Sequence, residues 1–289
     1  MSASPDVSTQ PALLDKLEAG VLTLTLNRPE RLNALNIALV EALNAALGRV
    51  AAEPACRAVL ITGAGRGFCA GADLANRAFS PGGVRPDLGQ SLEQGINPLI
   101  RAIRNLPKPV VCAVNGPAAG AGANIALACD IVLAAKSAQF LQAFARIGLI
   151  PDAGGTFHLP RLIGDARARA LMMLADPIGA EDAAAWGMIY RAVDDEDLMG
   201  EARIVAERLA AGPTHTLGLI KRALAASAGA SLDAQLDLER DLQREAGGRD
   251  EYVEGVRAFL EKRPADFKRV SAAQQALKPS PAGGRGSFP

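Results

Sequence analysis

Three observations predict an α/β fold. Apolar segments of six residues, "VLTLTL", "RAVLIT", "PVVCAV" and "DIVLAA", alternate with stretches of helical periodicity between residues 21 and 135. That is the order of strand and helix crossovers in a layered core. Ala and Gly are abundant while aromatic residues make up only 4%, a composition for close backbone packing rather than a core of bulky rings. Beyond about residue 195 the pattern turns to helices alone, which adds a second, helical layer.

Taken in order, "VLTLTL" (21–26) alternates apolar residues with Thr, as a half-buried strand does. "NIALVEALNAALGRVAA" (36–52) has helical spacing, and "RAVLIT" (57–62) returns to a strand. Then come a helical "SLEQGINPLIRAIRNL" (91–106), the strand "PVVCAV" (109–114), a small-residue helix after Gly120 and the strand "DIVLAA" (130–135). Residues 110–129 carry no charge and place Gly116 and Gly120 in GxxxG spacing, so a membrane helix has to be weighed. Asn115, Pro117 and Asn124, together with the low hydrophobicity of an Ala/Gly mixture, favour a buried strand, a glycine turn and a tightly packed helix. After residue 195, "DLMGEARIVAERLAA", "PTHTLGLIKRALAAS", "SLDAQLDLERDLQREA" and "DEYVEGVRAFLEKR" each show an apolar stripe that needs a partner. The expected organisation is a disordered tail over 1–11, a core over 12–195, a helical region over 196–270 and a disordered tail over 271–289.

Composition narrows the function classes. Thirty-one basic residues balance thirty-one acidic ones without long like-charge blocks, which argues against nucleic acid or a membrane surface as a partner. Cys56, Cys69, Cys112 and Cys129 show no short ligand spacing, and His158 and His215 are the only histidines, so no metal site is expected. The cysteines read as small buried apolar residues, and the polar start "MSASPDVSTQ" lacks a secretory pattern. A cytoplasmic location is the expectation.

"ITGAGRGFCAGADL" (61–74) follows a strand and carries Gly63, Gly65, Gly67 and Gly71, but Phe68 occupies the place of the third glycine in GxGxxG. With no GxxxxGK[ST] or GxSxG element, phosphate transfer and serine hydrolysis lose support. Two glycine loops, 63–74 and 116–124, each follow a buried strand. If they converge, two backbone N–H groups can hold one oxyanion; taken singly, each is also an ordinary tight turn. The stretch "GLIPDAGGTFHLPRLIG" (148–164) raises a second pair of readings. Between Ile131 and Ala175 its Asp152 has only Asp165 as another acid. Pro-Asp followed by Ala-Gly-Gly suits a turn, and an acid isolated in apolar surroundings also suits a base.

"LTLNRPERLNALN", "GRGFCAGADL", "KPVVCAVNGPAAGAGANIALACDIVLAAKSAQF" and "GLIPDAGGT" together closely resemble the crotonase, or enoyl-CoA hydratase/isomerase, superfamily, from about residue 12 to 270. The later run "WGMIYRAVDD", "LGLIKRAL", "QLDLERDLQREAG" and "YVEGVRAFLEKR" resembles one subgroup, the ring-1,2-epoxyphenylacetyl-CoA isomerases. The resemblance implies a spiral of ββα repeats, a C-terminal helical trimerisation region, and self-association as a trimer or dimer of trimers. It implies an acyl-CoA thioester substrate with its carbonyl oxygen between the N–H groups of Ala72 and Ala121. Arg31, Ala34, Ala70, Asp73, Leu74, Gly120 and Lys262 would contact the substrate or its CoA, and no cofactor is implied beyond that CoA.

Hydratases of the superfamily carry two glutamates where this chain has Asn124 and Phe144, positions that would line the acyl pocket. Neither side chain can act as a carboxylate base, and the subgroup has Asp at position 152 where hydratases commonly have Gly. Asp152 is therefore expected to be the catalytic base, moving a double bond from Δ3 to Δ2 or assisting expansion of a ring epoxide to an oxepin. The alternatives are a broad-specificity enoyl-CoA hydratase and a non-catalytic acyl-CoA-binding scaffold. His158 is expected to be structural. Residues 76–95 are expected to form a flexible pocket wall, with Glu93 facing either the pocket or solvent.

Overall fold

The computed structural model describes residues 10–74 and 85–270. The tails expected to be disordered, apart from Gln10 and Pro11, and residues 76–84 of the expected pocket wall lie outside them. Strand β1 (Leu13–Glu18) turns through Ala19 and Gly20 into β2 (Val21–Leu26). Both turn residues have positive φ, 53° and 87°, the pairing that matches the twist of a two-residue hairpin. Helix α1 (Ile37–Ala52) starts where the Asn36 side chain accepts the Leu39 N–H at 2.9 Å, and β3 (Ala58–Gly63) follows. Next come α2 (Leu88–Ser91), a π-helical turn (Leu92–Ile96) and α3 (Asn97–Asn105). Strand β4 (Val110–Val114), the two-residue β5 (Ala118–Ala119) and α4 (Ala121–Ala128) then form one strand–strand–helix unit. Strands β6 (Ile131–Ala135) and β7 (Gln139–Leu141), a 3₁₀ turn (Ala143–Ile147) and α5 (Gly155–Ile163) repeat it. The chain continues through α6 (Asp165–Leu174), β8 (Ile178–Gly179), α7 (Ala180–Ala185) and β9 (Arg191–Val193). It closes with α8 (Leu198–Ala211), α9 (Thr214–Ser227), α10 (Leu232–Gly247) and α11 (Asp250–Leu260).

The larger sheet has the order β1-β2-β3-β4-β6-β9, antiparallel only between β1 and β2. The smaller one is β5-β7-β8, and bridges Cys69 to Ala118 and Leu35 to Ala72 continue its pairing toward the first glycine loop. Each turn of the spiral thus places one strand in the large sheet, a short one at the small sheet, and a helix outside. The charge-free tract 110–129 splits into β4, β5 and α4, and among the described residues no helix is long and apolar enough to cross a membrane.

Helix α8 packs with the main core. The sequence assigns it to the helical region 196–270, and Ala202, Ala206 and Ala210 are fully buried in the main core. Small residues at i, i+4 and i+8 let its backbone lie close against β3 and β4. Three buried cations close helix ends around this core. Arg57 donates to the Ala210 and Gly212 carbonyls at 2.6 and 2.7 Å, Lys108 to those of Val50 and Glu53 at 2.6 Å, and Lys221 to Ile103 O at 2.7 Å and Asp130 Oδ2 at 2.8 Å. Positive charge at a helix C-terminus meets the exposed carbonyls and the negative end of the helix dipole.

Candidate active site

The first glycine loop is built on the segment that precedes α1. Leu32 and Asn33 both hold left-handed backbone, φ 48° and 55°, which an Asn tolerates better than most residues. From there the buried Asn33 side chain accepts the Arg28 N–H at 2.8 Å and donates to the carbonyls of Ala64 and Gly67 at 2.9 and 2.8 Å. Leu35 then bridges Ala72: its N–H donates to Gly71 O at 2.7 Å and its carbonyl accepts the Asp73 N–H at 3.1 Å. A parallel bridge of this kind uses the groups flanking Ala72, leaving the Ala72 N–H on the opposite edge.

That edge faces the second loop. Gly71 has φ 86°, a conformation that favours glycine, and a methyl placed there would approach Ala119 O to 2.7 Å and Ala121 N to 3.5 Å. Ala121 is the first residue of α4, so its N–H stands outside the helix's own ladder at the positive end of the dipole. The Phe144 ring lies against Gly120, where a methyl would meet Phe144 Cζ at 3.6 Å. This apolar wall sits one residue from the Ala121 amide.

Asp152 lies half-buried in the loop before α5, followed by two left-handed residues, Ala153 (φ 50°) and Gly154 (φ 79°). Its backbone carbonyl accepts the Gly155 N–H at 2.9 Å and the Asn124 Nδ2 at 2.8 Å. Asn124 is fully buried, and its Oδ1 accepts from Gln142 Nε2 at 2.8 Å. A backbone carbonyl can only accept, so it sets the orientation of the Asn124 amide and, through it, that of Gln142. Asn124 thus braces the Asp152 loop against α4. His158 packs beneath Gly154, and burial, reinforced by Arg104 and Arg161, pushes its pKa down to about 4. It is neutral at pH 7 and tied to packing.

Other candidate residues divide by environment. Arg31, Ala70 and Leu74 are exposed around the first loop, with the Ala70 N–H bonded to Leu32 O at 2.9 Å. Ala34 is buried and its carbonyl accepts from Arg28. The Asp73 carboxylate is turned inward to Arg28 Nη1 at 2.9 Å, with both side chains 9% exposed. Lys262 is exposed just past α11. Glu93 is exposed and engaged by Asn97 and Arg101, each at 3.2 Å. Sequence reading missed Arg28, Asn33 and Gln142, polar residues whose burial has no local signal.

Residues 16–270 match the family described as Enoyl-CoA hydratase/isomerase. Over 255 residues the chain is 54% identical to the 1,2-epoxyphenylacetyl-CoA isomerase of Escherichia coli (strain K12), covering 88% of this chain and 97% of that one. It is 37% identical over 258 residues to a trans-2-decenoyl-[acyl-carrier-protein] isomerase of Streptococcus mutans, covering 88% and 97%. Its structure is similar to that of an enoyl-CoA hydratase from Bacillus anthracis, with TM-score 0.84 and 33% identity over 89% of this chain and 99% of that one.

Proposed function

The chain belongs to the enoyl-CoA hydratase/isomerase family, and from that premise we propose that it is an acyl-CoA isomerase whose base is Asp152. The substrate's thioester oxygen lies between the N–H groups of Ala72 and Ala121. Asp152 takes a proton from C2; the electrons of that C–H bond form the C1–C2 double bond of an enolate, and charge moves onto the oxygen. Each backbone donor at such a hole contributes about 3–4 kcal/mol to the transition state in other enzymes. When the carbonyl re-forms, the enolate electrons make a C2–C3 double bond and the former C3–C4 electrons take the proton at C4. The bond has moved from Δ3 to Δ2, and Asp152 is ionised again.

A ring epoxide of phenylacetyl-CoA, opening to the oxepin, uses the same oxyanion site and carboxylate, and it is the substrate favoured by the similarity to the Escherichia coli isomerase. CoA arrives as part of the substrate, so the proton transfer calls for no metal or redox group. Ala34, Ala70, Leu74 and Gly120 border the thioester end. Lys262 meets a CoA phosphate, and Arg31 contacts the substrate or its CoA. The enzyme works as a trimer or dimer of trimers in the cytoplasm, where its four unbridged cysteines suit a reducing medium.

The observation that carries this reading is the hydrogen bond from Asn124 to the Asp152 carbonyl. Where a hydratase would place a water-activating glutamate, this chain places a brace for its base, and Phe144 puts a ring where the second glutamate would stand. The test is turnover of ring-epoxidised phenylacetyl-CoA beside a 3-enoyl-CoA and crotonyl-CoA. Isomerisation is expected to exceed hydration by a wide margin, and Asp152→Asn is expected to lower it by roughly 10²- to 10⁴-fold with CoA-ester affinity retained. Hydration of crotonyl-CoA as fast as isomerisation, or an unimpaired Asp152→Asn protein, would overturn the proposal.

A further inference from the structure

We infer that the buried ion pair between Arg28 and Asp73 is a positioning device for the oxyanion hole, holding the Ala72 N–H in register with the Ala121 N–H. The inference rests on the reading of Ala72 as a donor to the thioester oxygen. Asp73 is the residue next to Ala72, and Arg28 Nη1 meets its Oδ2 at 2.9 Å while also donating to the Ala34 carbonyl at 2.6 Å. Ala34 precedes Leu35, the residue whose two hydrogen bonds hold Gly71 and Asp73 on either side of Ala72. One guanidinium therefore ties both strands of the Leu35–Ala72 bridge together. The Arg28 backbone N–H is itself held by Asn33, whose amide reaches the carbonyls of Ala64 and Gly67 at the start of the same glycine loop.

The need for such a clamp follows from the pairing. The Leu35–Ala72 contact is an isolated bridge, not a strand ladder, so backbone hydrogen bonding gives Ala72 little rigidity of its own. An oxyanion donor must be placed to within about 0.5 Å to act in the transition state, and a displacement of about 1 Å can cost roughly 10²-fold in rate. A charged, doubly bonded guanidinium nine-tenths removed from water supplies the missing stiffness. The opposite donor, Ala121, opens a buried helix, and among the described residues no ion pair stands beside it, which places the clamp on the side that requires it.

The test uses the intact protein with Arg28→Gln, Asp73→Asn and the double variant Arg28→Gln/Asp73→Asn. The double variant replaces two charges with two amides, so it leaves no unpaired buried charge and decides the matter if the single variants do not fold. Benzoyl-CoA, a thioester without a hydrogen on its α-carbon, serves as the bound probe. Its carbonyl stretching frequency reads the strength of the oxyanion hole. In the wild type that frequency should fall on binding. In the variants the fall should shrink and kcat should drop by about 10- to 10²-fold, while affinity for benzoyl-CoA changes by less than about threefold. Folded variants with the wild-type frequency and kcat, whatever their melting temperature, would overturn the inference. An unshifted carbonyl in the wild type would overturn the oxyanion reading and this inference together. Failure of Asp152 as the base is distinguishable: Asp152→Asn would retain both the frequency shift and turnover.

Discussion

The spiral core and the helical arm of α9 to α11 solve opposite problems. In the core, every residue of β4 is buried and α8 presses a row of alanines onto the sheet. In the arm the usual sorting is inverted: the buried residues of α11 are Glu251, Glu254 and Ala258, while Phe259 and Leu260 on the same helix are 83% and 73% exposed. The acids are buried because they have partners. Glu251 accepts the N–H groups of His215 and Thr216 at the first turn of α9, both at 3.3 Å, and Glu254 pairs with Arg263 at 2.7 Å and accepts the Asp266 N–H at 2.8 Å. The core is held together by apolar burial and the arm by caps and ion pairs, with its apolar surface facing outward. Exposed apolar area of this kind signals association, and on that ground we propose that a second copy of the chain covers the arm.

The largest effect is expected there. Phe259→Asp combined with Leu260→Asp should turn a trimer or larger assembly into monomers in sedimentation at micromolar concentration. Each side chain buried at an interface is worth about 1.5–3 kcal/mol, and the loss repeats at every contact. A wild-type monomer, or an assembly unchanged in the variant, would break the comparison.

A core substitution should act on folding instead. Gly116 lies so close to the glycine loop that a methyl would collide with the Arg66 carbonyl oxygen. Gly116→Ala should lower stability by about 3 kcal/mol, measured by denaturant titration, without a direct effect on the arm's apolar face. A near-neutral result would mean the two loops are less tightly packed than the contact requires.

The smallest effect sharpens the contrast by pH. Burial holds His158 down to about 4 against an ordinary value of 6.5, so below pH 6.5 the unfolded chain binds a proton the folded core refuses. Its contribution is full above pH 6.5 and is lost as pH falls toward 4, amounting to about 2 kcal/mol at pH 5. In the arm, Arg263 and the Asp266 N–H hold Glu254 down to about 2 against an ordinary 4.5, so its contribution is present above 4.5 and fades between 4.5 and 2. Acidification from pH 7 to 5 should therefore weaken the core first. His158→Gln should flatten that dependence in melting curves, and an unchanged slope would count against it.

Much of this was legible from residues alone. Strand β2 coincides with "VLTLTL", and α1, β3, β4, β6 and α8 to α10 fall within one or two residues of their expected limits, while α11 ends three residues before its own, because each carries its own periodicity over five or more residues. Strand β1 was missed, its alternation interrupted by charges on an exposed edge. Strands β5 and β8, two residues each, carry no pattern to read. The glycine loops and the lone acid Asp152 were visible because unusual composition is itself a local signal.

The alternation of elements, the helical C-terminal region and the family-level pairing of Ala72, Ala121 and Asp152 as candidates are all written along the chain. That α8 packs in the core, that Asn124 braces the Asp152 loop and that Asp73 answers to Arg28 emerge from the folded packing. The reason is physical. Periodicity follows from the geometry of one element with its neighbours along the chain, whereas the role of a polar side chain depends on what burial brings beside it. Arg28 and Asp73 are 45 residues apart, and nothing in the residues around either one records the partner it meets.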